Sequence, residues 1–242
     1  PKSHRAITSR FSEVSGCAVL AIDYRLMPEF THQHGVEDCQ TAYHWILKNG
    51  PDGAQDIQQL FISGDSAGGN LTLSLLAWIR NEKLRAPEAA VVMSPLTDVT
   101  FSGESIHKNL NSDVMLKPVM QTISMVPSFF RSWWVLKTYA VRPSNPMVSP
   151  LKGGLAHLPP TLVQASEAEM LLDDAQRYVN KALASGSPVQ LQTWRHAVHV
   201  WQMFYPQLTE ARQAFEEIGR FLQLSLPPGR QESSPAVSKA DD

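Results

Sequence analysis

Residues 61–71, FISGDSAGGNL, constrain the fold of this chain more than any other stretch. An apolar run enters it, Gly64, Gly68 and Gly69 crowd its middle, and Leu71, Leu75, Trp78 and Ile79 leave it at helical spacing. A strand that runs straight into a helix must turn sharply at the residue between them, Ser66. Such a turn strains the serine backbone, and it is tolerable only if Gly64 and Gly68, two positions away on either side, lack bulk. The helix starts beside Ser66, so its unpaired N–H groups face the space around that hydroxyl. With Gly and Ser each about 7% of residues, Gly-x-Ser-x-Gly arises by chance in roughly one chain in ten of this length. Chance rarely adds the strand before it and the helix after it.

The rest of the chain alternates in the same way. A helix is expected from Ser3, with Ile7, Phe11 and Val14 on one stripe and a stop at Gly16. Residues 17–24, CAVLAIDY, form a short unbroken apolar run, the pattern of a strand buried on both faces. A second helix is expected near Gly35, with Val36, Tyr43, Ile46 and Leu47 at helical spacing and Gly50-Pro51 ending it. Strands are then predicted over 59–63, 89–93, 161–165 and 189–194. Helices are predicted over 67–80, over 174–184 with a stop at Gly186, and over about 207–222. The last carries Leu208, Ala211, Phe215, Ile218 and Leu222 on one stripe. This alternation gives an α/β fold, a mostly parallel sheet with helices on both faces. Residues 95–158 break the rhythm with several prolines, a central apolar helical piece and the pair Trp133–Trp134, and read as a cap-like insertion. One domain over 1–226 is expected, followed by a polar, proline-bearing tail over 227–242 that reads as disordered.

Composition removes several classes of function. At 242 residues, 43% hydrophobic and 18% charged, the chain suits a single packed core. A net charge of −2 with scattered Lys and Arg gives no basic face for nucleic acid. No apolar run is long enough for a bilayer, and PKSHRAITSRF has no signal-peptide core, so a cytoplasmic location is expected. Cys17 and Cys39 are too few for a disulfide scaffold and are expected as free thiols. No cluster has metal-ligand spacing, and His32 and His34 are expected to face solvent. GDSAGG lacks the Lys and the glycine spacing of phosphate-binding loops, so no cofactor is implied.

A serine hydroxyl becomes a useful nucleophile only with a base in hydrogen-bond reach, itself oriented by a carboxylate. Behind a strand–serine–helix elbow the chain order is nucleophile, acid, base, so both partners lie downstream. His107 and His157 fall in or beside the insertion, whereas His196 and His199 follow the last strand, and spacing alone does not separate those two. Glu167, Glu169, Asp173 and Asp174 all qualify by location for the acid. Asp173 and Asp174 also suit a helix start, which modestly favours Glu169. The Ala67 amide is the expected oxyanion donor.

DYRLMPE (23–29), GDSAGGN, SPLTD (94–98), SEAEMLLDDA and HVW, in that order, resemble the hormone-sensitive-lipase-like family of α/β-hydrolases, mostly microbial carboxylesterases acting on short acyl esters. The resemblance runs from residue 3 to about 222. It implies Ser66 as nucleophile, Glu169 in place of the more common Asp, and His199 as base, with His196 a bystander where the family usually has Gly. The implied activity is hydrolysis of small short-chain esters through an acyl-enzyme, and a homodimer is one assembly it allows. Asp65, Trp133 and Trp134 are candidates for the substrate pocket, with Phe129 and Phe130 beside them. One family element, a His-Gly-Gly loop supplying further oxyanion donors, is not found before Ser3. By resemblance the strand leading into that loop sits between 17–24 and 59–63, so those segments are expected to face each other across a gap. A catalytically impaired fragment or a non-catalytic binder of small ligands is the alternative reading.

Overall fold

The protein is described by a computed structural model that covers residues 4–125 and 137–228. Helix α1 (Arg5–Ser15) ends as expected at Gly16, whose φ of 66° lets its N–H reach back to the Ser12 carbonyl. Helix α2 (His32–Ile46) is followed by a small hairpin of β1 (Asn49–Gly50) and β2 (Gly53–Ala54). Four strands then build one parallel sheet in the order β3 (Phe61–Asp65), β4 (Ala89–Met93), β5 (Thr161–Ser166), β6 (Val189–Trp194). Between them run α3 (Ala67–Asn81), the short α4 (Ser105–Lys108) and α5 (Lys117–Met125), and α6 (Leu172–Ala184), and the last helix is α7 (Thr209–Leu224). No helix among the described residues is long and apolar enough to cross a membrane.

A parallel sheet must be covered on both faces, and successive side chains of β4 divide between them. Ala90 and Val92 meet Leu73 and Leu76 of α3 and Tyr178 and Val179 of α6. Ala89, Val91 and Met93 meet Ile7, Phe11 and Val14 of α1 and Phe215, Ile218 and Leu222 of α7. Enclosing a side chain such as Phe215 or Ile218 completely stabilises the fold by about 1.5–3 kcal/mol relative to leaving it in water. All four strands end on the same side: Asp65 lies beside Met93 and Met93 beside Gln164, while β5 and β6 run two residues further, to Ser166 beside Trp194. The loops that follow β3, β5 and β6 therefore open at one end of the sheet.

Several elements depart from the sequence pattern. Residues 17–24 form no strand, and Val19 and Leu20 are 43% and 44% exposed. A strand needs a hydrogen-bonded neighbour, and here the segment and β3 face each other across a groove of about 590 Å³, lined by Cys17, Val19 and Ala21 on one side and Ile62 and Gly64 on the other. The expected gap is present. Strand β3 begins two residues late because the Leu60 N–H is taken at 2.6 Å by the Glu88 carboxylate, and the ladder starts with Phe61 beside Ala89. Helix α2 starts before Gly35, where the Thr31 N–H donates to His34 Nδ1 at 3.2 Å, a capping contact with His in the position usually held by Glu or Gln. Helix α6 starts at Leu172, two residues ahead of the predicted 174. Leu208 precedes α7 and is 37% exposed, so it leaves the stripe that Ala211, Phe215, Ile218 and Leu222 bury. His32 is half-buried, with Nε2 3.1 Å from Asn70 Oδ1 and its ring against Tyr139. Ser3, the pairs Phe129–Phe130 and Trp133–Trp134, and tail residues 229–242 lie outside the described residues.

Residues 95–158 contain helices and turns but no strand among the described residues, and two buried acids brace them, Asp98 from within and Asp174 of α6 from the body. Asp98 is fully buried and accepts hydrogen bonds from the Thr100 N–H (3.0 Å), the Ser102 hydroxyl (2.6 Å) and Lys152 Nζ (3.0 Å). Burial alone would raise its pKa, but these bonds overcome it and bring the group down from 3.8 to about 2. Asp174 moves the other way, to about 6, because burial outweighs the Thr97 and Asp98 amides that it accepts. A depressed carboxylate contributes stability that is complete above its unfolded pKa and is lost as pH falls through the folded one; a raised carboxylate instead loses stability as pH rises from 3.8 towards 6. Asp98→Asn should therefore lower Tm at neutral pH yet flatten the decline of Tm between about pH 4 and pH 2. Parallel Tm–pH curves for the two proteins would remove Asp98 from that role.

Candidate active site

The turn after β3 has the strain its sequence requires. Ser66 sits at φ 51° and ψ −114°, its N–H bonded to the Met93 carbonyl at 2.9 Å, and α3 starts at the next residue. A Cβ at Gly64 would lie 2.3 Å from the Gly68 carbonyl oxygen, so the chain closes on itself here without side-chain bulk. Gly69 has the second close approach, 2.9 Å from Pro95 Cβ. A Cβ at Gly68 meets nothing within 4 Å, so the second glycine of the motif contributes its backbone and not its lack of a side chain. Gly69 carries the constraint expected of Gly68.

The loops after β5 and β6 reach this turn. His199 is buried, with Nε2 2.9 Å from Ser66 Oγ and Nδ1 2.8 Å from Glu169 Oε2. Glu169 is fully buried, and its other oxygen accepts the Ser166 N–H at 3.1 Å. An Nδ1–H that donates to this carboxylate leaves Nε2 as the acceptor for the serine hydroxyl. Ser66 and His199 are 133 positions apart in sequence, and His199 and Glu169 are 30 apart.

The other candidates lie elsewhere. His107, His157 and His196 are exposed. Glu167 is exposed and accepts the Thr193 hydroxyl at 3.0 Å. Asp173 accepts the Ser105 N–H at 2.9 Å, and Asp174 accepts Thr97 and Asp98, so both acids serve the insertion. Ala67 is exposed at the first position of α3, where a helix leaves its N–H without an intrahelical partner. Asp65 pairs with His4 Nε2 at 3.3 Å. Among the described residues no group of three or more His, Cys, Asp or Glu could hold a metal ion.

Sequence reasoning missed the side chains that hold the loops. Buried Ser94, at φ 48°, accepts the N–H of Val200, the residue after His199, at 3.1 Å. The Ser166 hydroxyl donates to the Ala197 carbonyl at 2.5 Å and accepts the Ala168 N–H at 3.1 Å, tying the acid and base loops together. Gln202 donates to Gln164 at 2.9 Å inside the core. Single polar residues at strand ends carry no periodic signal; only the SPLTD motif pointed near one of them, Ser94.

The model of a family with the α/β-hydrolase fold matches residues 1–203. The chain belongs to the α/β-hydrolase family. Within that family, the crystal structure of an esterase from the bacterial hormone-sensitive lipase family is similar at a TM-score of 0.79 and 36% identity, covering 93% of this chain and 71% of that one. An acetyl-hydrolase of Streptomyces hygroscopicus is 34% identical over 95% of this chain and 72% of its own length. The carboxylesterase/phospholipase LipF of Mycobacterium tuberculosis is 30% identical over 92% of this chain, which spans 57% of that protein. The resemblance to hormone-sensitive-lipase-like α/β-hydrolases is borne out.

Proposed function

We propose that the protein hydrolyses short-chain carboxylic esters by acyl transfer through Ser66. The observation that carries this reading is the continuous hydrogen-bond chain from the strained Ser66 through His199 to buried Glu169. Ser66 Oγ attacks the ester carbonyl while His199 Nε2 takes its proton. The oxygen that becomes negative is met by the Ala67 N–H and the start of α3, and one such donor typically changes the rate about 10²–10³-fold. Collapse of the tetrahedral species breaks the bond to the alcohol, which leaves with the proton held by His199. Water, deprotonated by the same nitrogen, then frees the acid and restores the serine. Glu169 keeps the imidazole in the tautomer this sequence needs and steadies its cationic form. The name of the carboxylesterase/phospholipase relative supports an ester substrate, and that of the acetyl-hydrolase a small acyl group.

The test is incubation with p-nitrophenyl acetate and butyrate, with and without a serine-directed organophosphate. Hydrolysis that stops when one adduct forms on Ser66 is expected. Hydrolysis that survives complete modification of Ser66 would overturn the mechanism, and retention of ester-like ligands without turnover would favour the non-catalytic binder. Glu169→Gln should lower kcat by on the order of 10²–10⁴-fold, because the amide no longer selects the productive tautomer. Asp173→Asn, altering a carboxylate bonded to Ser105, should change kcat far less. Equal or reversed losses would reassign the acid.

A further inference from the structure

The loop that carries Glu169 has a second set of holders, from outside the sheet. Residues 167–170 follow β5, and past the Glu167 N–H their backbone leaves the sheet, yet each backbone carbonyl accepts a hydrogen bond from a side chain of the insertion. Asn109 Nδ2 donates to the carbonyls of Glu167 at 2.9 Å and Glu169 at 2.8 Å. The Ser112 hydroxyl donates to Ala168 at 2.9 Å, and the Ser105 hydroxyl to Met170 at 2.6 Å. Asp113, 2% exposed, accepts the Met170 N–H at 2.8 Å on Oδ2. Its Oδ1 accepts the N–H groups of Met115 at 3.2 Å and Leu116 at 2.9 Å, which fixes the carboxylate to its own turn.

We propose that Asn109 and Asp113 are positioning residues that hold the Glu169 carboxylate against His199, so that the acid reaches the base only when residues 105–113 are docked on the loop. The proposal deepens the esterase reading and rests on it for its kinetic consequences. The sheet side fixes the start of the loop through the Glu167 N–H to Trp194 bond (2.9 Å) and the Ser166 hydroxyl. Beyond that point the carbonyl of Glu169 and the amide of Met170 are held from the insertion. A displacement of about 1 Å at a reacting group costs about 10²-fold in rate, so a loop free to relax by that much loses most of the benefit of its carboxylate.

Two substitutions separate this from a general role in folding. Asn109→Ala removes both donors at a half-buried site without disturbing the core. Asp113→Asn keeps the shape; an amide oxygen that stays on Met115 and Leu116 turns its NH₂ against the Met170 N–H. Glu169 is the charged group bonded to His199, while Glu167 is turned to Thr193 and Arg195 and Asp173 to Ser105. Loosening Glu169 therefore withdraws the charge that favours the imidazolium.

The experiment reads the His199 Nδ1–H proton resonance by NMR on histidine-labelled protein, beside kcat and KM. Both variants should move that resonance upfield, toward the position of an imidazole N–H without a carboxylate partner. They should reduce kcat roughly 10–100-fold with KM within about 2-fold. In the Glu169→Gln background neither substitution should cost anything further, since the group they position has lost its charge. An unchanged His199 Nδ1–H resonance in folded Asn109→Ala, or losses that multiply with Glu169→Gln, would overturn the proposal. If Asp113→Asn fails to fold, Asn109→Ala decides it. If the unmodified protein turns over no ester, the esterase reading fails, and the His199 Nδ1–H resonance still tests the positioning.

Discussion

Ser66→Ala should reduce kcat for p-nitrophenyl butyrate by on the order of 10⁴–10⁶-fold and leave the melting temperature within a few degrees of the unmodified protein. The loss is large because no other hydroxyl is bonded to His199 Nε2 among the described contacts, and the reaction as proposed has no first step without an alkoxide donor. The change in stability is small because the half-buried serine gives up one side-chain bond, and the backbone at φ 51° is shaped by its neighbours and not by the hydroxyl. His199→Ala should fall by a similar factor. The double variant should be no worse than either single one, because nucleophile and base act as a unit. Turnover above about 1% of the original in purified Ser66→Ala would place the chemistry elsewhere.

Gly64→Ala carries the largest expected effect on folding. The added methyl would lie 2.3 Å from the Gly68 carbonyl oxygen, 2.5 Å from its carbon and 2.7 Å from Thr72 Oγ1. Two of these atoms are backbone and cannot rotate away, so α3 would have to move off the end of β3. That helix buries Leu73 and Leu76 against the sheet, and a shift breaks packing that is already close to solid density. A cost of about 3 kcal/mol or more is expected in urea denaturation. Gly68→Ala, four residues on and inside α3, meets nothing within 4 Å and should stabilise the protein by about 0.5–1 kcal/mol through helix propensity. Equal effects of the two substitutions would mean that the turn is not packed as described.

The two glycines show what a motif conveys and what it conceals. Gly-x-Ser-x-Gly announced the turn and the serine, yet the position that meets a second element is Gly69, because Pro95 belongs to a loop that sequence cannot place against it. Strands such as β4 were legible to the residue, since five apolar side chains in a row fit a short strand buried on both faces. The 17–24 segment had the same signature and is no strand, because pairing belongs to two segments and a pattern in one of them cannot supply the partner. At the site, location alone left four acids and two histidines, and the family pattern separated them. The structure brings Glu169 and His199 together with Ser66. Asn109 and Asp113 were invisible for a different reason. They act through backbone groups some 57–60 positions away, and nothing in the identity of the residues they hold records the contact.

Ser66, Glu169 and His199 follow the ends of separate strands, β3, β5 and β6, which the parallel register through β4 brings to one side of the sheet. A piece of the chain that lacks any one of those strands lacks one of the three partners. Heat that frays the β3–β4, β4–β5 or β5–β6 ladder pulls one partner away, so the turnover proposed for this molecule doubles as a gauge of whether the four-stranded sheet is intact.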